Sequence, residues 1–173
     1  HFYCSGVAQV DGWNGPPIKC SDRDGHGDQN LAKAVANSCN PAFVTMGLKI
    51  GTETYYKYLK SFGLMEKTGV DMIGEVAGIF ADEESFNSNV VSLASYAFGQ
   101  TFNVTPLELI RAQAATINGG YLYTPYVVEQ VLESTGSIPI PEGKAVLTLN
   151  AKESEEALAR LRALQPGDTV TLT

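Results

Sequence analysis

A chain of 173 residues and 18.5 kDa holds either one domain with a proper core or two small ones. Its 44% hydrophobic and 18% charged residues are ordinary globular usage and argue against disorder. The net charge of −7 argues against nucleic acid, which needs a basic face, and no apolar run approaches the ~18 residues that read as a membrane span.

The opening His1-Phe2-Tyr3-Cys4 has no initiator Met and reads as mid-strand, so the chain is expected to be a piece of something longer. Residues 2 to 20 read as a strand, a Gly/Pro-rich loop and a return strand ending at Ile18-Lys19-Cys20. Cys4 and Cys20 flank that loop, and either a disulfide across a hairpin or two free thiols fits. Cys4, Cys20 and His26 show no ligand pair at a short zinc-type spacing, so no metal is expected. Asp22, Asp24 and Asp28 lack the Gly and distal Glu of a calcium loop and read as solvated turn acids.

From Asp28, a plausible N-cap, the residues Leu31, Ala32, Val35 and Ala36 recur at helical spacing. Asn37 to Asn40 breaks that helix, and Pro41 opens a second one that runs to about Ile50. Thr52 caps a third helix, with Tyr55, Tyr56 and Tyr58 as amphipathic packing, and Gly63 ends it. Residues 69 to 80 carry three glycines and no clean period, which reads as an ordered loop. Asn87 is expected to cap a helix from Ser88 to Phe98.

Thr105-Pro106-Leu107-Glu108 is the best local signal, a capping box with Pro at the first helical position. The helix it opens closes at Asn118-Gly119-Gly120, and residues 121 to 132 read as extended, interrupted by Pro125. After a composition shift at Glu133 to Gly143 come a strand at 145–149, a charged helix at 153–164 and a turn into Thr169-Leu172.

The motifs in order are Ser38-Cys39-Asn40, Phe62-Gly63-Leu64, Thr68-Gly69-Val70-Asp71, Gly74-Glu75, Gly99-Gln100, Thr105-Pro106-Leu107 and Asn118-Gly119-Gly120. In that order and at those distances, residues 1 to about 129 resemble the transpeptidase domain of class B penicillin-binding proteins. The resemblance implies an α/β (α+β) fold dominated by the helical subdomain of the penicillin-binding protein/β-lactamase-like fold. It implies a D,D-transpeptidase that cross-links peptidoglycan stem peptides by serine acyl transfer and is acylated by β-lactams. Metal and organic cofactors are not needed for that reaction. The implied location is the extracytoplasmic face of a bacterial membrane, with cell-wall synthesis proteins as partners.

By the same resemblance Ser38 is the proton relay toward the leaving group and Asn40 the contact to the substrate amide, both catalytic. Cys39 reads as a packing residue. The nucleophile motif Ser-x-x-Lys occurs nowhere in the 173 residues, so the chain alone is expected to be inactive. Ser-x-Asn by itself is weak, because the same letters suit a helix end followed by an N-cap. Lys67-Thr68-Gly69 spells a further family motif, but it lies too early and in the context of a structural loop, so Lys67 is given no catalytic role. His26 is a tempting base near neutrality, yet the family moves protons with Ser and Lys, so it reads as structural, bonding backbone.

Past about Val131 the pattern fades. Residues 1–132 are read as a partial transpeptidase domain and 133–173 as a strand-helix-strand segment. That segment faintly resembles a stretch of phosphodiester glycosidase domains. A non-catalytic binding module of the same fold, or a fusion, is the alternative reading of the whole.

Overall fold

The computed structural model describes residues 1–128 and, beyond them, only the backbone of strands at 130–133, 136–139 and 146–147. The expected helix at 153–164 and the last strand lie outside the described residues. The chain divides into two compact units. Among the described residues the first takes His1–Tyr58 and Phe80–Phe102; the second takes Leu59–Ile79 and the chain from Asn103 onward.

In the first unit, β1 (Phe2–Cys4) pairs antiparallel with β4 (Gly27–Gln29), setting Tyr3 opposite Asp28 and Cys4 opposite Gly27. Between them, β2 (Val7–Ala8) pairs with β3 (Ile18–Lys19). The turn joining β2 to β3 is fastened by Trp13, whose backbone N–H donates to the Val10 carbonyl at 3.1 Å and whose indole N–H donates to the Pro16 carbonyl at 3.1 Å. A side chain at Gly15 would meet that indole ring at 2.1 Å, so the ring fills the place only a glycine leaves.

Asp28 is thus a strand residue and not the expected N-cap. Asn30 caps α1 (Leu31–Ala36), accepting the Lys33 N–H at 2.9 Å. The strand pairing of Asp28 with Tyr3 removes it from the helix start. Helix α2 (Asn40–Ile50) ends at Gly51, and α3 (Thr52–Ser61) follows. The helix expected over 88–98 is α5 (Val90–Ala97), capped by Asn89, and a short helix not expected, α4 (Glu83–Asn87), capped by Asp82, precedes it. Asn89, not Asn87, accepts the orphan N–H of Val91 at 3.0 Å.

The core of this unit is apolar. Val10, Val44 and Ala94 pack together with Ala8, Ile18, Val91 and Phe98. Gly47 lets α2 approach α5 closely, since a Cβ there would stand 2.6 Å from the Ala97 methyl. Phe86 is fully buried, with ring centroids of Tyr56 at 5.3 Å and Tyr96 at 4.9 Å. Tyr56 is buried as expected of the tyrosine stripe, but Tyr58 is exposed.

In the second unit α6 (Pro106–Ala115) carries the predicted capping box. The Glu108 N–H donates to Thr105 Oγ1 at 3.2 Å, and the Thr105 N–H donates to Glu108 Oε2 at 2.7 Å. The other carboxylate oxygen of Glu108 accepts the Gly78 N–H at 2.8 Å, and the whole side chain is buried. Ile79 bridges Asn103 antiparallel. Strand β5 (Tyr121–Leu122) pairs with β8 (Val146–Leu147), and β6 (Gln130–Glu133) with β7 (Gly136–Pro139).

Candidate functional site around Ser38, Cys39 and Asn40

Helix α1 stops by a specific mechanism. The Cys39 N–H donates to the Ala34 carbonyl and the Ser38 N–H to the Val35 carbonyl, each at 3.0 Å. These are the two crossed bonds of a Schellman end, which satisfy carbonyls the helix leaves open. The motif needs a left-handed residue between them, a place usually taken by glycine. Here it is Ser38, with φ 47°. A left-handed serine costs about 1–2 kcal/mol, so the surrounding bonds hold it in a conformation it would not choose alone.

The consequence is positional. Ser38 is exposed, while Cys39 is fully buried against Ala34 and Ala42. Asn40 begins α2, ahead of Pro41, and is half-buried. Its Nδ2 donates to the Lys19 carbonyl of β3 at 2.9 Å, which occupies one of its two donors and leaves its carbonyl oxygen for other work. The loop is therefore tied from both sides, by α1 through the Cys39 amide and by β3 through Asn40.

Behind the loop lies a grouping the sequence did not announce. Cys4, Cys20, His26 and Cys39 bring one donor atom each to within 4.8 Å of one another. Cys20 Sγ is 3.4 Å from His26 Nδ1 and 4.0 Å from Cys39 Sγ. All three cysteines are buried free thiols, so the disulfide allowed for Cys4 and Cys20 is not formed. They do not face each other across a hairpin either, because β1 pairs with β4 and only β2 with β3. His26 lays its ring against sulfur, where a backbone partner was expected.

The thiols differ in acidity. Burial pushes Cys4 up, but hydrogen bonds from the His26 and Gly6 backbone and from the His26 ring outweigh it and bring it down to about 6. Burial dominates at Cys39 and raises it to about 11, against the pull of the Ala42 amide and the Gln29 side chain. No spacing rule finds this cluster, since the strand pairing of residues far apart in sequence assembles it. Three cysteines and two histidines in the first forty residues were the only available signal.

Lys67-Thr68-Gly69 is a fastened loop. Glu75 accepts the Thr68 N–H at 2.7 Å, the Thr68 hydroxyl at 2.6 Å and the Gly69 N–H at 3.1 Å. Thr68 is buried and Lys67 exposed.

Comparison with known proteins agrees with this architecture. The family described as penicillin binding protein transpeptidase domain matches residues 5–160. Stage V sporulation protein D of Bacillus subtilis (strain 168) is 43% identical over 132 residues, 76% of this chain and 20% of that protein. Peptidoglycan D,D-transpeptidase MrdA of Acinetobacter baumannii is 31% identical over 153 residues, 81% of this chain and 22% of that protein. Penicillin binding protein 3 of Mycobacterium tuberculosis, solved with aztreonam, aligns at a TM-score of 0.76 and 21% identity over 89% of this chain and 34% of its own. Penicillin-binding protein 2 of Helicobacter pylori aligns at a TM-score of 0.69 and 28% identity over 92% of this chain and 29% of its own.

The chain spans about a fifth of the length of the curated relatives it matches. The family match runs on to residue 160, across most of the segment read as resembling a phosphodiester glycosidase, and that second resemblance finds no support in it. The ordered motifs, the α+β fold and the match over residues 5–160 lead to one conclusion: the chain belongs to the penicillin-binding protein transpeptidase family.

Proposed function

We propose that this chain is part of a peptidoglycan D,D-transpeptidase, and that Ser38 and Asn40 are its proton relay and its substrate amide contact. One observation carries the reading. A serine occupies the left-handed end of α1, exposed and strained, while its neighbour Cys39 is sunk in the core. Strain at a non-glycine residue persists where the surroundings over-determine it, and functional sites are where it collects. Among relatives, a peptidoglycan D,D-transpeptidase shares 31% of aligned residues, and penicillin binding protein 3 of M. tuberculosis has been solved with aztreonam and with ampicillin.

In this reading a serine outside the 173 residues attacks the D-Ala-D-Ala carbonyl of a stem peptide. The Ser38 hydroxyl passes a proton to the departing D-Ala amine, and a second stem amine then takes the acyl group. Asn40 orients the stem peptide with the carbonyl oxygen and the remaining N–H that Lys19 does not occupy. Without Ser-x-x-Lys the isolated chain forms no acyl-enzyme. The same reading puts the working protein at the extracytoplasmic face of a bacterial membrane, with stem peptides and β-lactams as ligands and no nucleic acid. Cell-wall synthesis proteins are its partners; penicillin-binding protein 2 of H. pylori has been solved with MreC. No helix among the described residues is long and apolar enough to cross a membrane.

The test is acylation by a fluorescent penicillin. The full-length gene product is expected to label covalently and the 173-residue chain is not. A full-length product that never labels would leave a non-catalytic module of the same fold. Labelling of the chain alone would refute its inactivity.

A further inference from the structure

We propose that Cys4, Cys20, His26 and Cys39 form a closed, four-coordinate zinc site that fastens β1, the Cys20–His26 loop and the start of α2 together. The donor set is the first argument. Three sulfurs and one imidazole nitrogen are the ligands of a structural Cys3His zinc centre, which takes four protein ligands and keeps no open position. Sulfur-rich sets of this kind select zinc over magnesium or calcium.

Geometry is the second argument. A tetrahedral zinc with its usual bond lengths sets S···S edges of about 3.8 Å and S···N edges of about 3.5 Å. The Cys20–Cys39 separation is 4.0 Å and the Cys20–His26 separation 3.4 Å. The widest separation in the group, 4.8 Å, closes with a contraction of about an ångström.

The surroundings supply a third argument. Three thiolates around a divalent ion carry one net negative charge, and such sites need N–H donors aimed at sulfur. The His26 and Gly6 backbone amides face Cys4, and the Ala42 amide faces Cys39. Gln29 is 2% exposed, and its Nε2 has no hydrogen-bond partner among the described residues. Its partner oxygen is taken by the Asn37 amide, which fixes the side chain's orientation, and the free N–H end lies beside Cys39. A buried donor left open is costly, and a metal-bound sulfur accepts it. Because Cys39 stands between Ser38 and Asn40, the ion would also hold those two residues still; that clause alone rests on the proposed function.

The experiment uses the 173-residue chain, purified and kept under reducing conditions, and reads metal content and cobalt spectra. One zinc per chain is expected, displaced only by a strong chelator. Cobalt in its place is expected to show thiolate-to-cobalt charge transfer and the intense visible bands of a tetrahedral site. Cys20→Ser and His26→Ala should each weaken zinc by more than about 100-fold, above the 10–100-fold typical of residues that merely support a ligand. Should a variant fail to fold, the wild-type cobalt spectrum and the protection of three thiols from alkylation by zinc still decide the matter. A reduced chain that takes up no zinc, shows no thiolate–cobalt band, or binds zinc equally well in both variants would overturn the site. So would oxidation to a Cys20–Cys39 disulfide in the presence of equimolar zinc.

Discussion

The Cys39 N–H reaches back to the Ala34 carbonyl at 3.0 Å, and this bond obliges Ser38, the residue just past the helix cap Asn37, to turn left-handed. Glycine would do this more cheaply. Ser38→Gly is therefore expected to stabilise the chain by about 0.5–1 kcal/mol, the strain relieved less the extra freedom glycine has when unfolded. Urea unfolding measures it. A loss of stability would mean the serine side chain holds the fold together in some other way.

The same serine in the full-length protein answers a different question. Ser38→Ala keeps the backbone and removes the hydroxyl. Penicillin acylation is expected to slow by about 10²–10⁴-fold, the usual range for losing a proton-transfer group. An unchanged rate would remove Ser38 from the reaction.

Glu108 offers a graded test of α6. Thr105→Ala removes one cap acceptor and is expected to cost about 1 kcal/mol. Glu108→Ala strands both the Thr105 and Gly78 N–H groups and is expected to cost about 2–4 kcal/mol. Chemical denaturation of the two variants should keep that order; equal losses would mean Gly78 has a replacement partner.

Gly47 is a packing claim. Gly47→Ala is expected to destabilise by about 1–3 kcal/mol through collision with the Ala97 methyl. Adding Ala97→Gly should recover part of the loss, because the two changes share one contact. Additive effects in the double variant would place the clash elsewhere.

Acid should loosen the second unit. Asp71 accepts the Val127 and Val128 N–H groups at 2.7 and 2.8 Å, and these bonds hold its carboxyl below the usual range. The Thr68 hydroxyl, with the Thr68 and Gly69 amides, does the same for Glu75. A depressed native pKa gives stability that is complete above the unfolded value, about 4, and is lost as pH falls through the native value below it. The thermal midpoint should thus be level above about pH 5 and fall towards pH 3. In a variant with Asp71→Asn and Glu75→Gln that fall should be shallower. Asp71 is exposed and Glu75 half-buried, so salt should mute the effect, more at Asp71 than at Glu75.

What could be read from letters was what chemistry keeps local. The capping box at Thr105–Glu108 is complete within four residues, and it was legible. The break between α1 and α2 was legible from Pro41, but its left-handed hinge was not, because glycine is the usual sign and serine stands there. Asn87 and Asn89 are equally good caps on paper. Asp82, earlier in the chain, had already started a helix that runs through Asn87, leaving Asn89 to start the next. Asp28 looked like a cap because its pairing with Tyr3 is invisible without the sheet. The thiol–imidazole cluster failed to show for the same reason. Ser38 and Asn40 were found through family likeness, and the tie from Asn40 to Lys19 bridges two elements that no local pattern connects.

Trp13 is the chain's single tryptophan, and it sits on the turn between β2 and β3, partly open to water, far from the aromatic set around Phe86 in the sequence. Excited at the red edge of protein absorption, this chain would glow from one surface turn alone. Its emission colour is a gauge of whether the indole still covers Gly15, and it can shift while the buried core is intact. An optical melting curve taken at that wavelength would date the opening of a hairpin, and only the tyrosines around Phe86 would report when the interior follows.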